Sequence, residues 1–136
     1  MLLSTVKTFG MQGNVWDAAV SAMVAALETV TLPAVTVDPD TGDITVDAAT
    51  RTPLKLHTRP VSSTAAVFVA GEEERLVMDP TVEEETLAAA TLTVVVTEGG
   101  EVCHLRQPGG RSVTAATLQS CVLAAQQLAT TLAGAK

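Results

Sequence analysis

The sequence QGNVWDAAVSAMVAAL, at residues 12–27, joins a glycine turn to a helix built largely from small residues. A junction of this kind often binds a phosphate group, because free backbone N–H groups and the positive end of the helix dipole meet there. In this chain, however, the first turn carries the bulky Trp16 and the acidic Asp17, without a Lys or Arg close by. The stretch therefore predicts a sheet-packed helix and leaves open whether its turn binds an anion.

The composition of the 136-residue chain is that of one globular domain. Hydrophobic residues make up 47% and aromatic residues 2%, so Val, Leu and Ala must fill the core. The formal net charge of −7 gives the chain little attraction for nucleic acid on its own. Only Cys103 and Cys121 are cysteines, and nothing resembles a secretory signal or a membrane span. We expect a reduced, intracellular, soluble protein.

The first third of the chain predicts a strand, a helix and short strands. Alternation over residues 2–9 favours a strand, and Asn14 is expected to cap the helix, with Asp17 completing a box-like start. The apolar positions at helical spacing, expected to be buried, are Trp16, Val20, Met23, Val24 and Leu27. Short strands are predicted over residues 34–37, 43–47 and 52–57.

The rest of the chain predicts a sheet with two more helices. Strands are expected over 61–69 and 75–78, and Thr81 with Glu84 forms a capping box for a helix through residue 90. A hairpin is expected over 92–97 and 101–106, followed by a helix over about 115–132. The buried positions expected on that helix are Leu118, Cys121, Val122, Ala125 and Leu128. The order predicts an α+β layer fold with helices packed on a mixed sheet, in one unit over residues 1–136.

The turn DPDTGD, residues 38–43, resembles a calcium loop only superficially. An EF-hand needs Gly at its sixth position and Glu at its twelfth, where this chain has Asp43 and Ala49. A solvated hairpin turn is favoured. Likewise, PGGR at residues 108–111 could bind an anion through its backbone and Arg111, but a glycine turn is the simpler interpretation.

The histidines and cysteines have no metal-ligand spacing. Cys103 and His104 are neighbours on a predicted strand, so their side chains point to opposite faces and a Cys–His nucleophile is not expected. Cys121 is expected in the core, and Cys103 in the core or at an interface. DPTVEEE, residues 79–85, has four carboxylates that could bind Mg²⁺ or act as acid and base; the alternative is a strand end before a helix whose acidic first turn complements its dipole.

Several motifs in register resemble the second half of an RNase PH-like domain, as in the eukaryotic exosome ring subunits. LHTRPVSSTAAVF, LVMDPTVEEE and EVCHLRQPGG are similar to family segments written THPV…FAVF, VDPTxEEE and C-x-L-x-x-PGG. The run that follows the last of these matches at Thr114, Leu118, Gln119 and Cys121. The resemblance covers nearly the whole chain and implies an RNase PH-like (ribosomal protein S5 domain 2-like) layer fold, of which residues 1–136 are the C-terminal half.

The resemblance also implies that the catalytic site is degenerate. In phosphorolytic members the turn resembles D-G-G-T-R-T-A, whose Arg holds the attacking phosphate; Trp16 occupies that position here. A single indole N–H cannot replace the donors of a guanidinium. A second element resembles D-x-D-x-E-E-D, in which Asp79 matches the first Asp, Thr81 replaces the middle one and Glu85 the last. No catalytic residue, metal or cofactor is then expected, and Trp16 is expected to pack inward near Asp79.

By resemblance, the chain is a non-catalytic structural subunit of the exosome core ring, supporting 3′-to-5′ RNA processing and degradation. Its implied partners are other ring subunits and, through the assembled complex, single-stranded RNA, in nucleus, nucleolus and cytoplasm and away from membranes. The alternative is a phosphate-dependent 3′-to-5′ exoribonuclease that uses Asp79 and Glu85 with Mg²⁺. An independent RNA-binding module is disfavoured by the charge and the few aromatics. Because the family domain is about twice as long, the isolated chain is expected to self-associate.

Overall fold

The centre of the protein is an antiparallel sheet backed by a long helix, in a computed structural model that describes residues 2–134. The elements are α1 (Val15–Glu28), β1 (Thr31–Val37), β2 (Ile44–Pro53), β3 (Val61–Ala70), β4 (Glu73–Met78), α2 (Val82–Leu87), β5 (Ala90–Val96), β6 (Val102–Arg106) and α3 (Ala115–Gly134). Four strands form one sheet in the order β4-β3-β5-β6, and β1 pairs with β2 in a separate ribbon.

The expected mixed sheet is wrong, because every strand pair in the described residues is antiparallel. The connection through α2 carries the chain across β3, so β4 and β5 pair antiparallel with opposite edges of β3. The α+β class is confirmed, with α3 on one face of the sheet and α1 on the other. Among residues 2–134, no helix is long and apolar enough to cross a membrane.

The main core lies between α3 and the sheet. Its buried members are Ala65, Leu92, Val94, Val96, Cys121, Ala125 and Ala129. Small side chains on α3 let the helix lie close to the β-branched residues of the strands. Of the positions on α3 that were expected to be buried, Cys121 and Ala125 are confirmed, whereas Leu128 is 39% exposed. Burial raises the pKa of the Cys121 thiol, as for a structural cysteine.

The capping box at α2 and the hairpin β5–β6 are confirmed. The Thr81 hydroxyl accepts from the Glu84 backbone N–H at 3.3 Å, and the Glu84 carboxylate accepts from the Thr81 N–H at 2.8 Å. The helix ends at Leu87 rather than at residue 90, because Ala90 already pairs with Val67 in the sheet. The edge strand β6 is exposed along its whole length, which excludes Cys103 from the core.

Two predicted strands, over 43–47 and 52–57, are wrong as separate elements. Residues 44–53 form the single strand β2, which keeps its pairing with β1 past an irregularity. Ala34 pairs with Asp47 and the adjacent Pro33 pairs with Arg51, so three residues of β2 bulge out between these pairs. The Asp47 carboxylate accepts from the Ala49 N–H at 2.9 Å and stabilises the bulge.

The predicted strand over residues 2–9 is absent from the described structure. This segment runs beside α1, where it lines a groove with Met23 and Leu27, and no strand lies next to it to complete a ladder. The expectation that α1 is a buried core helix is also wrong: only Val20 is buried. The helix packs mainly on β3, with Val24 and Leu27 partly buried, whereas Trp16 and Met23 are exposed.

Candidate functional site

The glycine turn before α1 lies directly against the segment that follows β4. Gly13 has φ 102°, and a Cβ at this position would lie 2.3 Å from the Pro80 carbonyl oxygen. The Val82 N–H donates to the Gln12 carbonyl at 3.1 Å, which joins the two segments through their backbones. Glycine is therefore required here by close contact between two chain segments, whether or not an anion binds.

Asn14 connects the two sequence motifs through carboxylates. Its backbone N–H donates to Glu85 Oε1 at 2.8 Å, and its side-chain Nδ2 donates to Asp79 Oδ1 at 2.6 Å. The expected N-cap bond of Asn14 is absent: the residue is left-handed, with φ 45°, and its side chain reaches Asp79 instead. Asp79 is itself left-handed, with φ 53°, an uncommon conformation for a residue other than glycine.

The structure thus brings Asp79, Thr81 and Glu85 together at the start of α1. The Glu85 carboxylate lies where an anion at this helix start would be attracted, which suits the dipole of α1. Thr81 uses its hydroxyl in the capping box of α2. The cluster can hold the turn in place and can accept hydrogen bonds, but it offers no cationic donor for a phosphate.

The expectation that Trp16 packs inward near Asp79 is wrong. Trp16 is 41% exposed, and its ring stacks on His104 of β6 with 6.5 Å between centroids. The Arg106 guanidinium carbon lies 4.9 Å from the indole centroid. The helix phase explains the difference, because Asn14, Asp17 and Ser21 recur on the side of α1 away from Trp16. Trp16 therefore cannot fill the space beside Asp79.

A cleft of about 700 Å³ lies between α1, α3 and the first residues of β3. Strand β4 pairs with β3 only from Ala65 onward, so the β3 edge over residues 61–64 has no neighbouring strand on that side. Among the lining residues are Gly13, Asn14, Asp17, Ser62, Asp79 and Leu128. Neither Trp16 nor Arg106 lines this cleft.

Asp17 has a role at this site that the sequence analysis missed. Its carboxylate accepts from Ser62 Oγ at 2.5 Å, from the Thr64 N–H at 2.7 Å and from Thr64 Oγ1 at 2.9 Å. It does not complete a capping box at α1, because its oxygens bind α1 to the free edge of β3. The signal in the sequence was the polar run Ser62 to Thr64 inside a buried strand, which requires buried hydrogen-bond partners.

The remaining candidates are structural turns. Gly110, with φ 84°, lies so close to residue 89 that a Cβ would be 2.4 Å from the Ala89 carbonyl oxygen, and the Arg111 N–H donates to that same oxygen. In the DPDTGD turn, hydrogen bonds from the Asp40 and Thr41 backbone hold the pKa of Asp38 below its usual value. Within residues 2–134, no cluster of three or more His, Cys, Asp or Glu could hold a metal ion.

The fold is that of an RNase PH-like α+β domain. The family described as 3′ exoribonuclease family, domain 2, matches residues 59–127, just over half of the chain. The chain belongs to this family.

Curated relatives are exosome subunits. Exosome complex component Rrp42 of Methanothermobacter thermautotrophicus is 32% identical over 114 residues, which cover 84% of this chain and 40% of the relative. RRP45A of Arabidopsis thaliana is 34% identical over 81% of the chain and 36% of its own length. Rrp43 of Schizosaccharomyces pombe is 28% identical over 90% of this chain and 44% of its own length. The chain therefore spans about 40% of the length of these relatives.

Solved structures confirm the fold. An archaeal exosome core aligns with a TM-score of 0.65 at 23% identity, covering 89% of this chain and 45% of the other. The Archaeoglobus fulgidus exosome with RNA bound to the active site aligns with a TM-score of 0.64 at 23% identity, covering 91% of this chain and 44% of the other.

Proposed function

We propose that this chain is a non-catalytic structural subunit of the RNA exosome core ring that supports 3′-to-5′ RNA processing and degradation. Its relatives are named as components of that complex. Within the complex, the chain would work in the nucleus, nucleolus and cytoplasm and would contact single-stranded RNA as part of the assembled ring. Residues 1–136 would represent the C-terminal half of the RNase PH-like domain.

The observation that carries the non-catalytic assignment is the occupation of the α1 start by the protein's own carboxylates. Asn14 donates to both Glu85 and Asp79, so two donors that could face a phosphate are already used. A phosphate brought there would meet two negative charges and no guanidinium, and like charges close together repel. Trp16, Asp79, Thr81 and Glu85 are then degenerate equivalents of catalytic positions, and of these four only Asp79 lines the cleft.

The surface of the chain supports a role in an assembly. Its accessible area is 9347 Å², whereas a compact protein of its 14.0 kDa mass exposes about 6,700 Å². The excess is comparable to a large protein–protein interface. Exposed β-branched residues on the β1–β2 ribbon contribute to it: Val35, Val37, Ile44 and Val46. We expect neighbouring ring subunits to cover this surface, and the isolated chain to self-associate with rising concentration in light scattering.

Among ring subunits, the motif pattern favours the one called ribosomal RNA-processing protein 43, or exosome component 8. Relatives of the Rrp42, Rrp43 and Rrp45 types have identities between 28% and 36%. Co-expression with each candidate partner subunit tests this assignment, because the ring position determines the two neighbours. A stable complex with the neighbours of another subunit would reject it.

Assembly is tested by native pull-down of the tagged chain with the ring subunits of its own organism. Co-purification in one peak on gel filtration is the expected result. A matched pair of variants locates the contact: Ile44→Asp places a charge on the exposed ribbon, and Thr130→Asp places one on the exposed side of α3. We expect only Ile44→Asp to weaken assembly. Recovery of the chain solely as a monomer would contradict the proposal.

The competing function is phosphate-dependent exoribonuclease activity, favoured by the proximity of Asp79 and Glu85 to one residue, Asn14. Labelled RNA is incubated with the chain, phosphate and Mg²⁺. We expect no nucleoside diphosphate release, because a phosphate nucleophile needs positioning that this site does not provide. Release that disappears in Asp79→Ala but persists in Asp40→Ala, an exposed turn variant, would establish the enzyme instead.

A further inference from the structure

The side chains of Trp16, His104 and Arg106 form a small exposed stack on the edge of the sheet, which we name the Trp16 stack. His104 and Arg106 alternate on β6, so both project to the side of the sheet where α1 lies. The indole lies against both of them, 6.5 Å from the imidazole centroid and 4.9 Å from the guanidinium carbon. Three planar groups are thereby presented together on an otherwise acidic protein.

The hydrogen-bonding capacity of this stack is unused. Within residues 2–134, the side chains of Arg106 and His104 make no hydrogen bond and no ion pair. Two other arginines differ: Arg59 binds Glu28 and Glu98, and Arg51 binds the Thr31 hydroxyl and carbonyl. The Arg106 guanidinium is held against the indole by cation–π attraction while all five of its N–H donors stay available.

We propose that the Trp16 stack is a binding site for one nucleotide of single-stranded RNA. The exposed part of the indole, together with the imidazole, offers π surface for an unstacked base, and Arg106 offers donors for its phosphate or base edge. That this chain meets RNA in an exosome ring rests on the proposed function. The capacity of the Trp16 stack to bind a nucleotide depends only on its own side chains.

The charge of the chain sets the strength of binding. With a net charge of −7, the isolated chain repels RNA at long range, so the site contributes local contact rather than strong affinity. Binding is therefore expected to be weak, and because Arg106 neutralises only one phosphate, the affinity should fall only gently as salt rises. In an assembly, cationic neighbours would hold the strand, and the Trp16 stack would position one base of it.

The sole tryptophan of the chain makes the test specific. Trp16 fluorescence is followed while a single-stranded oligouridylate is added to the full chain at low salt. We expect saturable quenching, since a base stacked on the indole quenches its emission. A double-stranded oligonucleotide of equal charge, whose bases are already stacked, should quench much less. Absence of saturable quenching by the single strand would overturn the proposal.

Variants separate stacking from charge and from packing, with anisotropy of a labelled oligouridylate as the readout. Trp16→Leu should weaken binding about 5- to 100-fold, and Trp16→Phe should retain part of it, because a smaller aromatic face still stacks. Arg106→Ala should weaken binding by a similar factor. Arg75→Ala removes the same charge from an exposed strand position and should change binding less than twofold. Equal losses in Arg106→Ala and Arg75→Ala would mean a nonspecific charge effect and reject the site.

The same variants distinguish this site from a protein contact. Trp16→Leu should leave co-purification with ring subunits intact, since RNA is not needed for that measurement. If Trp16→Leu abolishes assembly while oligouridylate binding is unchanged, the stack is a protein interface and the proposal is wrong. Failure of assembly for the unmodified chain would count against the proposed ring function alone, because quenching by oligouridylate is measured without partners.

Discussion

Strands β5 and β2 both contain β-branched residues but have very different surroundings. In β5, the five consecutive residues 92–96 are buried, because α3 packs on one face and β3 and β6 flank the strand on its two sides. In β2, all ten residues are exposed, although Ile44, Val46 and Thr45 are as suited to a strand as their counterparts in β5. The comparison teaches that β propensity selects the strand, whereas the layers above and below it supply the stability.

Leu92→Ala should have the largest effect on this comparison. Leu92 is 1% exposed in the core cluster, so truncation removes buried methyl groups and leaves a cavity, at a cost of about 2–5 kcal/mol. Ile44→Ala, at a residue 68% exposed, should change the free energy of unfolding by less than about 0.5 kcal/mol in the isolated chain. Urea denaturation measures both. Equal losses would mean that the ribbon is covered in solution, by self-association or otherwise.

Gly13→Ala tests whether the contact between the α1 turn and the β4–α2 segment matters for stability. Gly13 and Gly42 both have positive φ, but only at Gly13 would a new Cβ collide with backbone atoms. We expect Gly42→Ala to cost about 1 kcal/mol and Gly13→Ala about 1–3 kcal/mol more. Thermal melts of the two variants provide the comparison. Indistinguishable melting temperatures would show that the α1 turn is not part of the cooperative unit.

Thr81→Ala removes the capping box of α2 and should cost about 1 kcal/mol. Thr86→Ala is the matched control, because the Thr86 hydroxyl only bonds back to the Val82 carbonyl within the same helix. We expect the control to be within about 0.5 kcal/mol of the unmodified chain. Chemical denaturation followed by circular dichroism measures the pair. A Thr81→Ala variant as stable as its control would place α2 outside the cooperative unit of the sheet.

The smallest expected effect is on the stability of the protein at acidic pH. Hydrogen bonds from Thr117 and Thr114 at the start of α3 hold the pKa of Glu74 below its ordinary value of 4.5. A carboxyl with a lowered folded pKa contributes stability that is present above its ordinary value and is lost as the pH falls through the folded value. The free energy of unfolding of the Glu74→Gln variant should therefore change less between about pH 5 and pH 3 than that of the unmodified chain.

Asp47 provides the comparison within the ribbon. Hydrogen bonds from Thr50 and Ala49 also lower the pKa of Asp47, but its partners all lie in the β2 bulge. If the ribbon unfolds independently, Asp47→Asn should leave the acid unfolding of the sheet unchanged, as followed by circular dichroism between pH 5 and 3. A shift as large as that of Glu74→Gln would show that ribbon and sheet unfold together.

Much of the fold followed from the sequence, because its signals are local. The capping box at Thr81, the glycine turn before β6 and the helix that begins at residue 115 depend on neighbours within a few residues, and each was confirmed. The stretch 2–9 failed for the opposite reason. Its alternation is real, but a strand exists only if another strand pairs with it, and that condition is not local.

The sequence by itself determined which residues meet at the candidate site only through its motifs: their resemblance to the family implied that the Gly13 turn and the Asp79 segment lie together. Only the tertiary structure decided what these residues do there. Asp17 turned out to bind the edge of β3, and Glu85 to accept the Asn14 N–H. Trp16 projects to β6 instead of the cleft. The direction of a side chain depends on the phase of its helix relative to elements far away in the chain, and no local pattern encodes that phase.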